Sequence, residues 1–136
     1  MRDPEVDTCA RDWLRHARED LAAAGTLLDT GVPLRIACFH AQQAAEKALK
    51  AILVAHQIRF ARTHDLAELR RLLPPRIEPS VHDDDLSNLA RWAVELRYPG
   101  SEPEATLEEA RQSVECARDV VASASESLRA LGIHEG

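Results

Sequence analysis

The hydrophobic and polar positions of the chain repeat with the period of an α-helix along most of its length. From Val6 to Thr30, leucines and alanines recur at alternating spacings of three and four residues, which places them on one helix face with Trp13 beside them. Gly31 suits the left-handed end of a helix, and Pro33 suits the first turn of another. The pattern predicts a first helix from Val6 to Thr30.

A second helix is predicted over about residues 33–57, and its apolar face is unusually broad. At about 100° per residue, larger apolar side chains and a row of alanines occupy adjacent sectors. The alanine sector permits close approach of a neighbouring backbone, so we expect this helix to be central and to contact two neighbours at once. Its apolar positions are Leu34, Ala37, Cys38, Ala41, Ala44, Ala45, Ala48, Leu49, Ala51, Ile52, Leu53 and Ala55.

A short third helix and a fourth helix are predicted in the middle of the chain. The third starts at Thr63, whose hydroxyl can cap it, and stops before Pro74, so that His64 and Asp65 fall just inside its start. The acidic run 83–85 suits the positive N-terminal end of the fourth helix. The apolar face of the fourth helix is predicted to comprise Leu86, Leu89, Ala93 and Leu96.

The fifth predicted helix has the most regular hydrophobic pattern. Thr106 and Glu109 have the spacing of a capping box, for which Ser101 and Glu104 compete. The apolar positions form a narrow seam that is typical of near-antiparallel helix packing. They are Leu107, Ala110, Val114, Ala117, Val121, Ala124, Leu128 and Leu131.

Short connections between long amphipathic helices favour neighbours that run antiparallel. We therefore predict an all-α, up-and-down bundle of about five helices, four long and one short. The length of 136 residues is sufficient for one domain, over residues 1–136, with a core of its own. A long solitary coiled coil is the weaker alternative, because prolines interrupt it.

Composition and charge limit the function classes. The three cysteines form no Cys-x-x-Cys pair, which favours a reduced, cytoplasmic protein. No apolar run approaches the roughly 20 residues of a membrane span, so no membrane association is expected. The net charge of −6 argues against binding of nucleic acid by bulk electrostatics. Residues 47–76, however, hold seven Lys or Arg against two acids, so any anion site is expected there.

The second predicted helix also carries a polar stripe. On the helical wheel, His40, Gln43, Lys47 and Lys50 share an arc of about 80°, opposite the core, with Glu46 at its edge. An ordinary solvated face is one interpretation of such a stripe. The other is a surface that contacts a ligand or a second protein.

Apolar residues within the stripe favour the second interpretation. Ile36, Phe39 and Val54 lie in or beside the arc, where exposure to water gains nothing, so we expect this helix to contribute to a dimer interface. Gln42 falls inside the apolar sector, where an amide without hydrogen-bond partners would cost roughly 1–3 kcal/mol. We therefore expect Gln42 to have a partner within the bundle.

Three motifs, in order, resemble those of prokaryotic HEPN domain proteins. They are "FHAQQAAEKALKAIL" at 39–53, "THDLAEL" at 63–69 and "ELRYPG" at 95–100, and a long alanine-spaced helix follows them. The resemblance, from about Trp13 to Leu131, implies a compact bundle that forms a homodimer. It also implies a toxin–antitoxin pairing with a separately encoded minimal nucleotidyltransferase. Any transferase activity is expected to belong to that partner, because this chain lacks the glycine-serine loop and paired aspartates of such an enzyme.

Some members of this superfamily cleave RNA with an Arg and a His separated by four to six residues, the His acting as general acid or base and the Arg stabilising phosphorane charge. The corresponding place holds Arg97, and no histidine follows it among residues 98–104. The spacing alone recurs elsewhere in the chain and is a weak motif. We therefore expect no catalytic residue. The alternative is a metal-free ribonuclease that uses His40 or His64 with Arg97 in a rearranged site.

The candidate site follows from the stripe and the resemblance together. A nucleotide or RNA segment, or the nucleotidyltransferase, is expected to contact a groove, and Arg97 is expected to close over the stripe and pair with Glu46 or a ligand phosphate. No cofactor and no metal site are expected. The ligand-binding candidates are His40, Gln43, Lys47, Lys50, Arg97 and Tyr98, and the structural polar candidates are Gln42, Glu46, Thr63, His64 and Asp65.

Overall fold

The computed structural model of the 136-residue chain describes residues 2–77, 81–93, 99–100 and 104–135. All the regular structure of these residues is helical, which confirms the predicted all-α bundle of about five helices. None of the helices described is long and apolar enough to cross a lipid bilayer. The helices are α1 (Pro4–Leu27), α2 (Leu34–Ala55), α3 (Leu66–Arg71), α4 (Asp83–Ala90) and α5 (Leu107–Ala130).

Helices α1 and α2 form an antiparallel hairpin. Asp20 in α1 contacts Lys47 of α2, whereas Arg2, just before α1, donates a hydrogen bond to the carbonyl oxygen of Ala55 at the far end of α2. The N-terminal end of α1 therefore lies beside the C-terminal end of α2, so the two helices run in opposite directions. Gly31 lies in the connecting turn with φ of +80°, a conformation that glycine adopts without steric cost.

Helix α2 is the central helix, as its apolar pattern predicts. It packs against α1, α3, α4 and α5, and 14 of its 22 residues are buried. Small side chains let neighbouring backbones approach closely, so one helix can pack against several others. The fully buried alanines of α2 are Ala37, Ala41, Ala44, Ala45, Ala48, Ala51 and Ala55.

The start of α3 differs from the prediction. The helix begins at Leu66, and Asp65 is its N-cap, because the Asp65 carboxylate accepts a hydrogen bond from the backbone N–H of Glu68 at 3.2 Å. The predicted cap, Thr63, instead accepts a hydrogen bond from the backbone N–H of Asp65 at 3.0 Å. Thr63, His64 and Asp65 therefore precede the helix and shape the turn that leads into it.

Helices α1 and α4 end earlier than predicted. The first ends at Leu27, three residues before Thr30. Helix α4 ends at Ala90, because the backbone N–H groups of Trp92 and Ala93 bond to carbonyl oxygens only three residues back. Ala93, predicted on the apolar face of α4, therefore lies beyond the helix, and Leu96 lies outside the described residues. The acidic run 83–85 forms the first turn of α4, as predicted.

Helix α5 begins with the predicted capping box. The Thr106 hydroxyl accepts from the backbone N–H of Glu109 at 3.1 Å, and the Glu109 carboxylate accepts from the backbone N–H of Thr106 at 3.0 Å. The buried face is broader than the predicted seam, since α5 packs against both α1 and α2. It also includes Ser113, Val120, Ser125 and Ser127, whereas Leu107 is 39% exposed.

Candidate functional site

The carboxylate of Glu46 on α2 is the centre of a hydrogen-bonded group of five polar side chains. Glu46 Oε1 accepts hydrogen bonds from His64 Nδ1 at 2.6 Å and Gln42 Nε2 at 3.1 Å, and Oε2 accepts from Lys50 Nζ at 3.0 Å. Gln42 Oε1 in turn accepts from Gln43 Nε2 at 2.6 Å. We call these five residues the Glu46 cluster.

Most of the Glu46 cluster is inside the protein. Gln42 is fully buried, and Glu46 and Lys50 are 4% and 8% exposed. Burial acts to raise the pKa of Glu46, but the hydrogen bonds from His64, Lys50 and Gln42 outweigh it and hold the pKa below its ordinary value. The group is therefore a carboxylate at neutral pH. Since a carboxylate only accepts hydrogen bonds, the proton of the short contact is on His64 Nδ1.

Aromatic rings stabilise the nearly buried ammonium of Lys50. Its Nζ atom lies 5.5 Å from the centroid of the Trp13 ring on α1 and 5.8 Å from that of the Phe60 ring in the segment before α3. Such cation–π contacts add to the ion pair with Glu46 and offset part of the cost of removing the ammonium from water. Lys50 is therefore held between three parts of the chain.

A second group of polar side chains, the Asp20 cluster, joins α1 to α2. Asp20 Oδ1 accepts a hydrogen bond from His40 Nδ1 at 2.9 Å, and Oδ2 accepts one from Lys47 Nζ at 2.6 Å. The His40 ring also meets the Phe39 ring edge-on, with centroids 5.4 Å apart. The His40 and Lys47 side chains remain 31% and 25% exposed, so this cluster faces solvent.

The predicted position of the polar stripe opposite the core is thus wrong in part. Trp13 and Asp20 of α1 cover it, and Glu46 and Lys50 are buried, because α1 crosses over this side of α2. The chain has only two lysines, Lys47 and Lys50, and each is ion-paired in one of the two clusters. The stripe therefore consists of positioned charges rather than freely solvated ones.

The structure brings together only some of the predicted site residues. His40, Gln43, Lys47 and Lys50 belong to the two clusters, whereas Arg97 and Tyr98 lie outside the described residues, so their closure over α2 stays a prediction. Both carboxylate oxygens of Glu46 already have donors. In the described ranges, no three His, Cys, Asp or Glu side chains are arranged to hold a metal ion.

Periodicity did not identify three partners in the clusters, namely Trp13, Asp20 and Phe60. A signal for the first two was present, because Asp20 follows Trp13 by seven residues and the pair therefore shares one side of α1. The antiparallel hairpin places that side over Lys50 and Lys47 in turn. Phe60 lies in an irregular segment whose path the sequence pattern does not define.

Known proteins resemble this chain in sequence and in fold. The family model of the HEPN domain matches residues 10–128. The crystal structure of TT1696 from Thermus thermophilus is similar with a TM-score of 0.75 and 33% sequence identity, over 88% of this chain and 98% of that one. ST0689, described as an archaeal HEPN homologue, has a TM-score of 0.63 at 24% identity, over 86% of this chain and 95% of that one, and shares the fold. No curated protein is similar enough to match.

Proposed function

Because this chain belongs to the HEPN domain family, we propose that it works as a homodimeric binding module for a nucleotide or an RNA segment. The α2 face with the Glu46 and Asp20 clusters lines the site, together with Arg97 and Tyr98. We further propose that the module acts in the cytoplasm with a separately encoded minimal nucleotidyltransferase, in a system of the toxin–antitoxin type.

One observation carries the binding proposal: the cationic side chains of this face are held in place before any ligand arrives. Lys47 is fixed by Asp20 at 2.6 Å and stays 25% exposed, whereas Lys50, fixed by Glu46 at 3.0 Å, is nearly buried, so Lys47 is the lysine that a phosphate can reach. Binding sites present a small number of polar groups at defined positions, and pre-organised donors lose less conformational entropy when they meet a phosphate. An ordinary solvated lysine would have no such restraint.

The absence of a histidine after Arg97 supports binding rather than RNA cleavage. Residues 98–104 read Tyr-Pro-Gly-Ser-Glu-Pro-Glu, so the Arg and His pair of the RNA-cleaving relatives lacks its acid–base partner at this place. Arg97 alone can still neutralise a phosphate charge.

A second candidate function, a metal-free ribonuclease, is favoured by two imidazole–carboxylate pairs. Glu46 orients His64 through Nδ1 at 2.6 Å, and Asp20 orients His40 through Nδ1 at 2.9 Å. A carboxylate on Nδ1 fixes the tautomer of the imidazole and makes the ring a stronger base. In this alternative, either histidine would act together with Arg97 in the rearranged site.

Titration calorimetry with mononucleotides and short unpaired RNA tests the binding proposal. Wild-type protein should release heat, and the affinity should fall with added salt and in Lys47→Ala, because a phosphate contact is lost. Arg118→Ala is the matched control, since it removes the same charge from an exposed position on α5. No heat with wild type, or equal losses in both variants, would reject a nucleotide site on α2.

Incubation of the protein with RNA decides between the two candidates. Wild type and the double variant His40→Ala, His64→Ala should both leave the RNA intact if the protein only binds. Cleavage by wild type that disappears in the double variant would establish the ribonuclease instead. Far-UV circular dichroism of both proteins shows whether the double variant is folded.

A further inference from the structure

A pocket of about 180 Å³ opens on the outer side of α1, and its surface is mostly apolar. Cys9, Asp12, Trp13 and His16 form it, at the i, i+3, i+4, i+7 spacing of one helix face. The concavity is small, so a group that it binds is about the size of one aromatic ring system.

Trp13 connects this pocket to the candidate site. Its indole forms part of the pocket wall, and the same ring accepts the Lys50 ammonium of the Glu46 cluster at 5.5 Å. Asp20, which holds His40 and Lys47, lies two helical turns further along α1, or about 10 Å by the helix rise. A group bound at Trp13 is therefore within reach of both clusters through a short phosphate-bearing tail.

The residues of the pocket favour a nucleobase as the ligand. The partly buried Trp13 indole offers ring surface for stacking. The exposed Asp12 carboxylate beside it accepts a hydrogen bond from Arg15 Nη2 at 3.4 Å and can accept others from N–H and amino groups. Guanine presents two such donors side by side on its Watson–Crick edge, where uracil presents one. The exposed charge of Asp12, which pairs with Arg15, and the small volume do not suit the apolar face of another helix.

We propose that Trp13 is the base-stacking residue of the nucleotide site and that it takes an unpaired guanine, whose edge is bound by Asp12 while His16 borders the ring. The assignment rests on the proposed nucleotide or RNA binding and names the ligand more closely. The base must be unpaired, because a paired base exposes neither its Watson–Crick edge nor a free face for stacking.

Fluorescence of a single tryptophan tests the stacking directly. The chain has two tryptophans, and Trp92 is 2% exposed, so Trp92→Phe leaves Trp13 as the only indole. Guanosine monophosphate should quench this protein saturably, uridine monophosphate less, and ribose 5-phosphate not at all. By calorimetry, Trp13→Ala should weaken the binding of guanosine monophosphate roughly 5- to 150-fold. Trp13→Phe should retain most of the affinity, and Asp12→Asn should reduce the preference for guanine over uracil.

The outcomes separate this inference from the function on which it rests. No binding of any nucleotide or RNA by wild type rejects both. Binding that Trp13→Ala and His16→Ala leave unchanged, without quenching by guanosine monophosphate, rejects the stacking role alone. A Trp13→Ala protein that becomes monomeric by light scattering, yet binds guanosine monophosphate as wild type does, rejects the stacking role and shows that a second copy covers the pocket. His16 is exposed, so its variant remains informative if Trp13→Ala fails to fold.

Discussion

Glu46 carries a negative charge inside the bundle, and the groups that stabilise it come from two parts of the chain. Gln42 and Lys50 lie one turn before and one turn after it on α2, and His64 comes from the segment before α3. Removal of an ion pair from water costs several kcal/mol for each ion, which only good geometry and further hydrogen bonds offset. Both oxygens of this carboxylate are bonded, so the condition is met.

The variant Glu46→Ala should lower the free energy of unfolding by about 3–5 kcal/mol, because the Lys50 ammonium would stay nearly buried without its carboxylate. Glu46→Gln should cost less, since the amide oxygen still accepts one of the three hydrogen bonds. Urea denaturation followed by far-UV circular dichroism measures both values. A loss below about 1 kcal/mol in Glu46→Ala would mean that Lys50 reaches water when its partner is absent.

The pH dependence of the free energy of unfolding is a second measure of the contribution that the Glu46 carboxylate makes to stability. Burial acts to raise the pKa of Glu46, yet its hydrogen bonds lower the pKa in the folded state from the ordinary value of 4.5. Its contribution to stability is therefore complete above that value and is lost as the pH falls from there through the folded-state pKa. The stability difference between wild type and Glu46→Gln should accordingly shrink as the pH falls below 4.5. A constant difference would contradict the assignment.

At the scale of helices, α2 and α5 end with the same pair of hydrogen bonds. After α2, the Ile58 N–H bonds to the Leu53 carbonyl at 2.9 Å and the Gln57 N–H to that of Val54 at 3.0 Å. The equivalent bonds after α5 have Gly132 at the position of Gln57. Both residues are left-handed, with φ of +55° and +81°, although only glycine adopts this conformation without steric cost.

The substitution Gln57→Gly should therefore raise the free energy of unfolding by up to about 1 kcal/mol, because relief of the left-handed strain exceeds the entropy that glycine gains in the unfolded chain. Gly132→Ala is the reciprocal control and should cost a similar amount, since no atom crowds that position and only the backbone conformation changes. Thermal unfolding of the two variants measures both effects. A less stable Gln57→Gly would show that the glutamine side chain has contacts that outweigh the strain.

The sequence predicts the helices and their buried faces better than it predicts the helix ends. The broad apolar face of α2 and the capping box of Thr106 depend on neighbours within one helix, so local spacing defines them. Local spacing does not define the start of α3, because Thr63 and Asp65 are both suitable N-cap residues and lie only two positions apart. The Asp65 carboxylate bonds to the third helical N–H, and Thr63 is left to support the turn before it.

At the scale of the whole molecule, the candidate site lies where α1, α2 and the segment before α3 meet. A helical wheel gives the direction of a side chain but not the element that it meets, so the burial of Lys50 between Trp13 and Phe60 could not be predicted from spacing. The charge distribution was more informative. The basic middle of the chain, residues 47–76, contains both lysines of the two clusters and His64.

Apolar side chains at the edge of this site bear on the proposed homodimer. Val54 packs against the hydrophobic core. Ile36 and Phe39 are half-buried, but neither packs against the core that the described residues form. Phe39 instead lies edge-on against His40 of the Asp20 cluster. A second copy that covers Phe39 would therefore also border the candidate site and restrict its access to water.

If the protein is the proposed homodimer, wild type should be dimeric and Phe39→Glu monomeric, because a buried interface does not accept an unpaired carboxylate. Light scattering coupled to size-exclusion chromatography measures the mass, and far-UV circular dichroism verifies the fold. Leu72→Glu is the matched control, since it places the same charge on a leucine that is 38% exposed at the end of α3 and should leave the dimer intact. If Phe39→Glu stays dimeric, the copies meet through another surface, and the half-buried phenyl ring requires a different partner.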